Sequence, residues 1–215
     1  MIKPFISCIM PTANRKDFLS KAIGNFLMQD YYNSELIIID DGIDDFSYLI
    51  PDSKRVHYYY FDALGTIGIK RNEACRRAKG DFIIHLDDDD LYAFDWLTTI
   101  INALLKSSAD IVGLNSIYYF SLNLQQHFKF ENKDSDLQWI CGATMAYKKS
   151  LWINYNFSNL QIGEDNDFFT NSGGTVFSFD YTDGYVAIIH KDNTSIKSVS
   201  NSNTMNWQNL NIPKD

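Results

Sequence analysis

The 215-residue chain holds only three cysteines, Cys8, Cys75 and Cys141, an odd number with no C-x-x-C pair. Their wide spacing in apolar or helical surroundings argues against a disulfide framework and a zinc knuckle, and favours a reducing compartment, the cytoplasm. Basic charge is also scarce: Lys plus Arg is 19 against 27 for Asp plus Glu, a formal charge of −8. With a pI near 4.9, the sign is wrong for a chain that lives on phosphate backbones, which argues against a nucleic-acid partner. Long apolar runs are missing as well. The N-terminal one is broken by Pro4 and Pro11, and the longest uncharged stretch, 111–128, is interrupted by Asn115, Ser116, Ser121, Asn123, Gln125 and Gln126. Neither a signal peptide nor a transmembrane segment is expected, which leaves peripheral membrane contact open.

What is present is a core. Hydrophobic residues make up 45% of the chain and aromatics 15%, enough to bury roughly 70% of the unfolded surface in one domain. That composition excludes intrinsic disorder.

The apolar run 5–10 ends in Pro11-Thr12-Ala13-Asn14, after which Phe18, Leu19, Ala22, Ile23, Phe26 and Leu27 recur at helical spacing. Continuous apolar strands are expected at 36–39, closed by Asp40-Asp41-Gly42, at 56–61, and at 82–86, which runs into Asp87-Asp88-Asp89-Asp90. Continuity rather than alternation implies burial on both faces. Thr66 can cap a helix over 67–79, with Arg76, Arg77 and Lys79 at its negative end and Gly80 as its stop; a second amphipathic helix covers 96–105. This β-α-β-α order predicts an α/β fold with a mostly parallel, doubly wound sheet. Beyond Asp110 strands are expected at 111–120, 126–130, 143–147, 175–179 and 185–189, with one short helix after Gly163. Residues 192–215 are rich in Asn and Ser, a flexible tail or an ordered flap. No internal repeat and no linker stand out.

Two buried strands end in aspartates, and in open α/β sheets ligands bind beyond the carboxyl ends of the strands. Two carboxylates about 4 Å apart repel by roughly 4 kcal/mol at an effective dielectric of 20, a penalty that a divalent cation removes. In an extended segment Asp87 and Asp89 share a face, a D-x-D arrangement, and Asp88 and Asp90 point elsewhere. Mg²⁺ or Mn²⁺ typically takes one or two such carboxylates and completes its shell with water and substrate phosphates. An EF-hand fails because Leu91 and Tyr92 occupy the positions of an oxygen ligand and a glycine. A P-loop and a G-x-G-x-x-G dinucleotide fingerprint are also missing.

Ile9-Met10-Pro11-Thr12-Ala13-Asn14, Glu35 through Gly42, Gly68-Ile69-Lys70-Arg71-Asn72, the four aspartates and Gly163-Glu164-Asp165, in this order, resemble the motifs of family 2 glycosyltransferases with the GT-A fold. The resemblance spans residues 5 to about 190. It implies a single GT-A domain over 1–191, with a nucleotide-binding half at 1–109 and an acceptor half carrying a smaller mixed sheet at 110–191. It further implies that Pro11, Thr12 and Asn14 line the nucleoside cleft, Asp41 accepts from the base, Arg71 lies near base or diphosphate, Asp87 meets the ribose and Asp89 the metal. Gly142 and Ala143 would border the sugar, Asp165 would be the catalytic base with Glu164 orienting the acceptor or capping the helix, and His190 would approach the metal or diphosphate. Ile43 and Phe94 depart from the usual Ser or Thr and Pro, and no Q-x-x-R-W motif is present, so a processive polysaccharide synthase is not implied.

The implied activity is inverting transfer of a sugar from a nucleotide-diphosphate donor, a UDP-sugar in preference, to a hydroxyl on a glycan, glycolipid or protein, with Mn²⁺ or Mg²⁺ as cofactor. The alternatives are a metal-dependent nucleotidyltransferase and a catalytically silent sugar-nucleotide or carbohydrate-binding module. Single residues also have plainer readings: Asp41 as a turn residue, Arg71 as an exposed helix charge, His190 as structural, and Glu164-Asp165 as a favourable acidic first turn. Trp139 is the aromatic placed nearest a sugar face.

Overall fold

The computed structural model describes residues 3–133, 139–195 and 206–210. Its first half alternates strand and helix: β1 (Ile6–Thr12), α1 (Lys16–Leu27), β2 (Ser34–Asp40), β3 (Val56–Tyr60), α2 (Ile67–Arg77), β4 (Phe82–His85), the short β5 (Leu91–Tyr92) and α3 (Trp96–Ser107). The second half carries β6 (Ile111–Leu114), β7 (Ser116–Ser121), β8 (Gln126–Glu131), β9 (Ala146–Lys148), α4 (Lys149–Asn154), α5 (Glu164–Asn171), β10 (Val176–Phe179), β11 (Tyr185–Ile189) and β12 (Trp207–Leu210).

Seven strands form the main sheet in the order β10-β6-β9-β4-β1-β2-β3. Only β9 runs against its neighbours β4 and β6, and the other pairs are parallel. β1, β2 and β4 are buried on both faces, as expected, whereas β3 is the edge strand of the sheet and only half-buried, with Val56 covered, residues 57–59 partly covered and Tyr60 exposed, because no further strand flanks it. On one face Ile6, Cys8, Met10, Leu36, Ile38 and Ile84 pack with Leu19, Ile23 and Phe26 of α1 and Trp96, Leu97 and Ile100 of α3. On the other, Ile9, Ile37, Ile39 and Ile83 meet Ala74 and Cys75 of α2, Trp152 of α4 and Phe168 of α5. All three cysteines are buried, and none of them is in a disulfide.

A smaller mixed sheet, β12-β8-β7-β11-β5, joins β11 parallel to β7 and the remaining pairs antiparallel. The single strand expected at 111–120 is divided: β6 belongs to the main sheet and β7 to the smaller one, and the chain changes sheets at Asn115. Apolar continuity cannot reveal such a crossing, because both pieces are apolar and mostly buried. Within the stretch read as tail or flap, β12 pairs with β8 from Trp207 opposite Phe130 to Leu210 opposite His127. The helix α2 starts where Thr66 accepts from the Ile69 N–H at 3.4 Å and ends at Arg77, two residues earlier than the sequence suggested. Gly80 serves a different purpose from a helix stop. A Cβ there would stand 2.8 Å from the Phe5 oxygen and Ser7 nitrogen, so glycine lets the chain pass against β1.

Candidate active site

The carboxyl ends of β1, β2 and β4 lie side by side, since Thr12 is level with Asp40 and Ile9 with His85. Beyond them opens a cleft of about 470 Å³, lined among others by Pro11, Thr12, Arg15, Lys70, Arg71, all four residues of the Asp87–Asp90 run, Trp139, Gly142, Glu164 and Asp165. Asp41 and His190 lie outside this lining but hydrogen-bond to it, Asp41 with Lys70 and His190 with Asp89; Asn14, expected to line the nucleoside cleft, is also outside it, because its side chain is taken by the Ile43 N–H. The expected alternation of the aspartates does not hold, because residues 88 and 89 form a turn rather than extended backbone.

Each aspartate therefore has its own partners. Asp88 accepts from the Thr12 hydroxyl at 2.5 Å and from Arg15 Nη1 at 2.7 Å; burial, opposed by Arg15, pushes its carboxyl up to about 6. Asp89 Oδ2 accepts from the same Arg15 Nη1 at 2.5 Å, from Asn193 Nδ2 at 3.3 Å, and faces His190 Nε2 at 2.9 Å. Asp90 accepts from the Tyr185 hydroxyl at 2.5 Å and the Ile188 N–H at 2.9 Å, and its burial beside Asp89 and Asp87 raises its carboxyl well above the usual range. Asp87 lies 3.6 Å from Arg71 Nη2 and is also raised by burial, with Arg71 opposing.

Arg15 had no place in the sequence reading. It sits in the loop between β1 and α1, next to Asn14, and its Nη2 also donates to the Asp192 carbonyl at 2.7 Å. A basic residue just past the first strand end, facing an acidic run from another strand end, was the available signal. His190 stacks on Phe18 with ring centroids 4.7 Å apart. Its Nδ1 accepts from the Asp192 N–H at 3.2 Å, so Nε2 carries the proton and donates to Asp89.

On the nucleoside side, Asn14 adopts a left-handed backbone (φ 57°), which asparagine tolerates better than most residues. Its Oδ1 accepts from the Ile43 N–H at 2.7 Å and closes the loop that follows β2. Asp41 accepts from Lys70 Nζ at 2.7 Å and from the Gly65 N–H at 3.0 Å, and Lys70 also donates to the Thr12 carbonyl at 3.1 Å. Lys70, not Arg71, is thus the cation beside Asp41.

Arg71 is buried, which removes its reading as an exposed helix charge. Its Nε donates to Glu164 Oε1 at 3.1 Å, and Nη1 is buried without a hydrogen-bond partner. Burial works against its charge, but Asp87 and Glu164 outweigh it and raise its pKa. Glu164 is itself raised by burial, with Arg71 opposing. Its carboxylate is committed to Arg71, and Asp165 points to Gly142: a Cβ built on Gly142 would stand 1.6 Å from Asp165 Oδ2. No other residue type at 142 leaves that carboxylate where it is.

Among the described residues, no group of three or more His, Cys, Asp or Glu side chains converges to hold a metal, and no helix is long and apolar enough to cross a membrane.

Fold and cleft together define a GT-A nucleotide-diphospho-sugar transferase architecture, and the sequence profile described as Glycosyl transferase family 2 matches residues 7–186. The chain belongs to that family. It is 29% identical over 185 residues to the GalNAc(5)-diNAcBac-PP-undecaprenol beta-1,3-glucosyltransferase of Campylobacter jejuni, covering 78% of this chain and 59% of that protein. Among solved structures, the mannosyltransferase PcManGT from Pyrobaculum calidifontis in complex with GDP-Man and Mn²⁺ aligns at a TM-score of 0.69 and 16% identity, over 88% of this chain and 57% of that one. S. aureus TarS 1-349 in complex with UDP-GlcNAc aligns at 0.67 and 18% identity, over 91% and 62%. The chain spans about half the length of the curated relatives it matches.

Proposed function

We propose that this chain transfers a sugar from a nucleotide-diphosphate donor, a UDP-sugar in preference, to a hydroxyl of a glycan, glycolipid or protein acceptor, with inversion at the anomeric carbon. The observation that carries this reading is Arg71, buried between Asp87 on one wall and Glu164 on the other, lining the cleft with one nitrogen still unpartnered. A buried guanidinium with spare donor capacity suits a diphosphate. Residues 1–109 supply the nucleotide side of the cleft and 110–191 the acceptor side. At the start of the segment 192–215, Asp192 and Asn193 reach Arg15 and Asp89.

Asp165 takes the proton of the acceptor hydroxyl as its oxygen bonds to the anomeric carbon; the bond from that carbon to the diphosphate breaks with its electron pair, and a nucleoside diphosphate leaves. Glu164 keeps Arg71 in place. Asp41 still has lone-pair capacity after serving Lys70 and Gly65, so it accepts from the ring N–H of uracil while Lys70 donates to the adjacent carbonyl. The UDP-GlcNAc complex of the TarS neighbour supports a UDP-sugar donor, and the GDP-Man complex of the PcManGT neighbour is the competing case.

The residues present fit a divalent cation: Asp89 Oδ2 and His190 Nε2 meet at 2.9 Å, and a carboxylate with an imidazole suits Mn²⁺ better than Mg²⁺. Two protein ligands suffice where phosphate oxygens and water complete the shell. Ligation through Nε2 needs the imidazole proton on Nδ1, so the Asp192 N–H must release that nitrogen. When bound, the cation neutralises charge on the leaving diphosphate. The Mn²⁺ complex of the PcManGT neighbour supports it.

The test is a donor screen read by nucleoside diphosphate release with and without Mn²⁺. Pyrophosphate release instead would identify a nucleotidyltransferase, and binding without turnover across a broad acceptor panel would identify a silent binding module.

A further inference from the structure

The last residue of β4, His85, is fully buried two positions before the acidic run. Its ring is packed by aromatics, with Tyr147 at 5.5 Å and Phe157 at 5.7 Å between centroids, surroundings that by themselves call for no polar ring. The imidazole instead completes a line of hydrogen bonds. His85 Nδ1 lies 2.8 Å from the Gly142 carbonyl oxygen, His85 Nε2 3.4 Å from the Tyr147 hydroxyl, and that hydroxyl 3.2 Å from Cys75 Sγ. None of these three side chains lines the cleft.

The direction of every proton in this line follows from its far end. A carbonyl oxygen can only accept, so Nδ1 carries the hydrogen. A neutral imidazole has one N–H, so Nε2 accepts and the Tyr147 hydroxyl donates to it. The tyrosine oxygen then accepts the Cys75 thiol hydrogen. Burial keeps all three groups uncharged: it pushes the Cys75 thiol up to about 12, raises Tyr147 well above its usual value, and, with Arg71 nearby, lowers His85 well below its own. The donors run one way, Cys75 to Tyr147 to His85 to Gly142.

What the line grips is the floor of the site. Gly142 opens a single 3-10 turn over Gly142–Thr144, and its oxygen also accepts the Met145 N–H at 3.2 Å. The same turn is held by Thr144 Oγ1 donating to the Cys141 carbonyl at 2.7 Å and by the Tyr92 hydroxyl donating to the Ala143 carbonyl at 3.2 Å. The Asp165 carboxylate rests directly on the Gly142 Cα. Tilting this peptide therefore moves the surface against which that carboxylate is set.

We propose that His85, held in one tautomer by Tyr147 and Cys75, is a positioning residue that fixes the Asp165 carboxylate through the Gly142 peptide. This rests on Asp165 being the base. Displacing a reacting group by about 1 Å can cost on the order of 10²-fold in rate, so a hydrogen bond behind the floor affects turnover without touching substrate.

The test has one readout free of activity and one kinetic. With four histidines in the chain, ¹⁵N-edited spectra of the ring nitrogens are assignable, and His85 is expected as the neutral Nδ1–H form. An Nε2–H form or an imidazolium would overturn the proposal. The ¹³Cγ resonance of Asp165, assigned through Asp165→Asn, should move in His85→Phe and in Tyr147→Phe, and return in His85→Asn, whose amide N–H sits about where Nδ1 does. Turnover is read as UDP release from whichever of UDP-glucose, UDP-N-acetylglucosamine and UDP-galactose reacts fastest. His85→Phe should lower kcat roughly 10- to 100-fold with KM for the donor unchanged, Tyr147→Phe should lower it in the same direction, and His85→Asn should recover most of it. Equal losses in His85→Phe and His85→Asn, or no loss in any of the three, would overturn the proposal; if His85→Phe does not fold, Tyr147→Phe against His85→Asn decides it. Full turnover in Asp165→Asn would instead remove the base assignment, whichever tautomer His85 adopts.

Discussion

Gly142→Ala puts a methyl group where Asp165 Oδ2 already is. The new Cβ would lie 1.6 Å from that oxygen, 2.5 Å from Cγ and 2.8 Å from the Asp165 Cβ. Ordinary contact needs about 3.5 Å, so the carboxylate must retreat by about 2 Å. A misplacement of about 1 Å can cost on the order of 10²-fold, so kcat should fall roughly 10²- to 10³-fold, inside the roughly 10²- to 10⁴-fold span expected from losing a general base. Stability should change much less. Gly142 does not adopt positive φ, so alanine is conformationally acceptable there and stiffens the unfolded chain by about 0.4–1 kcal/mol, against about 1–3 kcal/mol for overpacking. The assay is UDP release for kcat and KM, calorimetry for UDP affinity and thermal unfolding for Tm, which should drop only a few degrees. The double variant with Asp165→Asn is the decisive measurement: once the basic oxygen is gone, displacing it costs nothing further, so the two losses must not add. Additive losses, or a Gly142→Ala enzyme within twofold of the parent, would refute the assignment of Asp165 and with it the reason residue 142 is glycine.

Asp89→Ala should abolish turnover while the protein remains folded, and full activity of this variant, or of the parent in excess chelator, would remove the metal reading. Arg15→Ala leaves the buried Asp88 and Asp89 without their shared cation and should cost about 3–5 kcal/mol in metal-free buffer; because Arg15 Nη1 sits on the same Asp89 Oδ2 that would hold the cation, Mn²⁺ alone should raise Tm more in the variant than in the parent, and equal shifts would contradict that competition. Asp110, whose carboxyl is held at about 2 by hydrogen bonds from Lys148 and Thr175, has a folded pKa below its unfolded one, so its contribution is present above about pH 4 and disappears as pH falls through 2. After solvent screening it is worth about 1 kcal/mol, and urea unfolding of Asp110→Asn should show that loss at pH 7 and a much smaller one at about pH 2, where the carboxyl is half protonated.

The alternation of buried strands with amphipathic helices was legible because hydrophobic periodicity is local: residues 5–10, 36–39 and 82–86 announce strands whatever surrounds them. The strand-end aspartates were legible for the same reason, since a parallel sheet puts all its carboxyl ends on one edge. The extended D-x-D geometry was not. A turn at 88–89 depends on Arg15, Thr12 and Tyr185 reaching in from elsewhere, as Arg15 and Thr12 do toward Asp88 and Tyr185 toward Asp90.

The sequence by itself determined the two-faced burial of the main sheet, the order of the motifs and which residue types stand at the strand ends, because these follow from spacing along one chain. Only the tertiary structure decided that Lys70 rather than Arg71 accompanies Asp41, that Arg15 neutralises Asp88 and Asp89, and that Glu164 is spent on Arg71 and leaves Asp165 facing Gly142. Each of those ion pairs joins residues 29 to 93 positions apart, and a charge chooses among distant partners by distance and burial, which spacing along the chain does not encode.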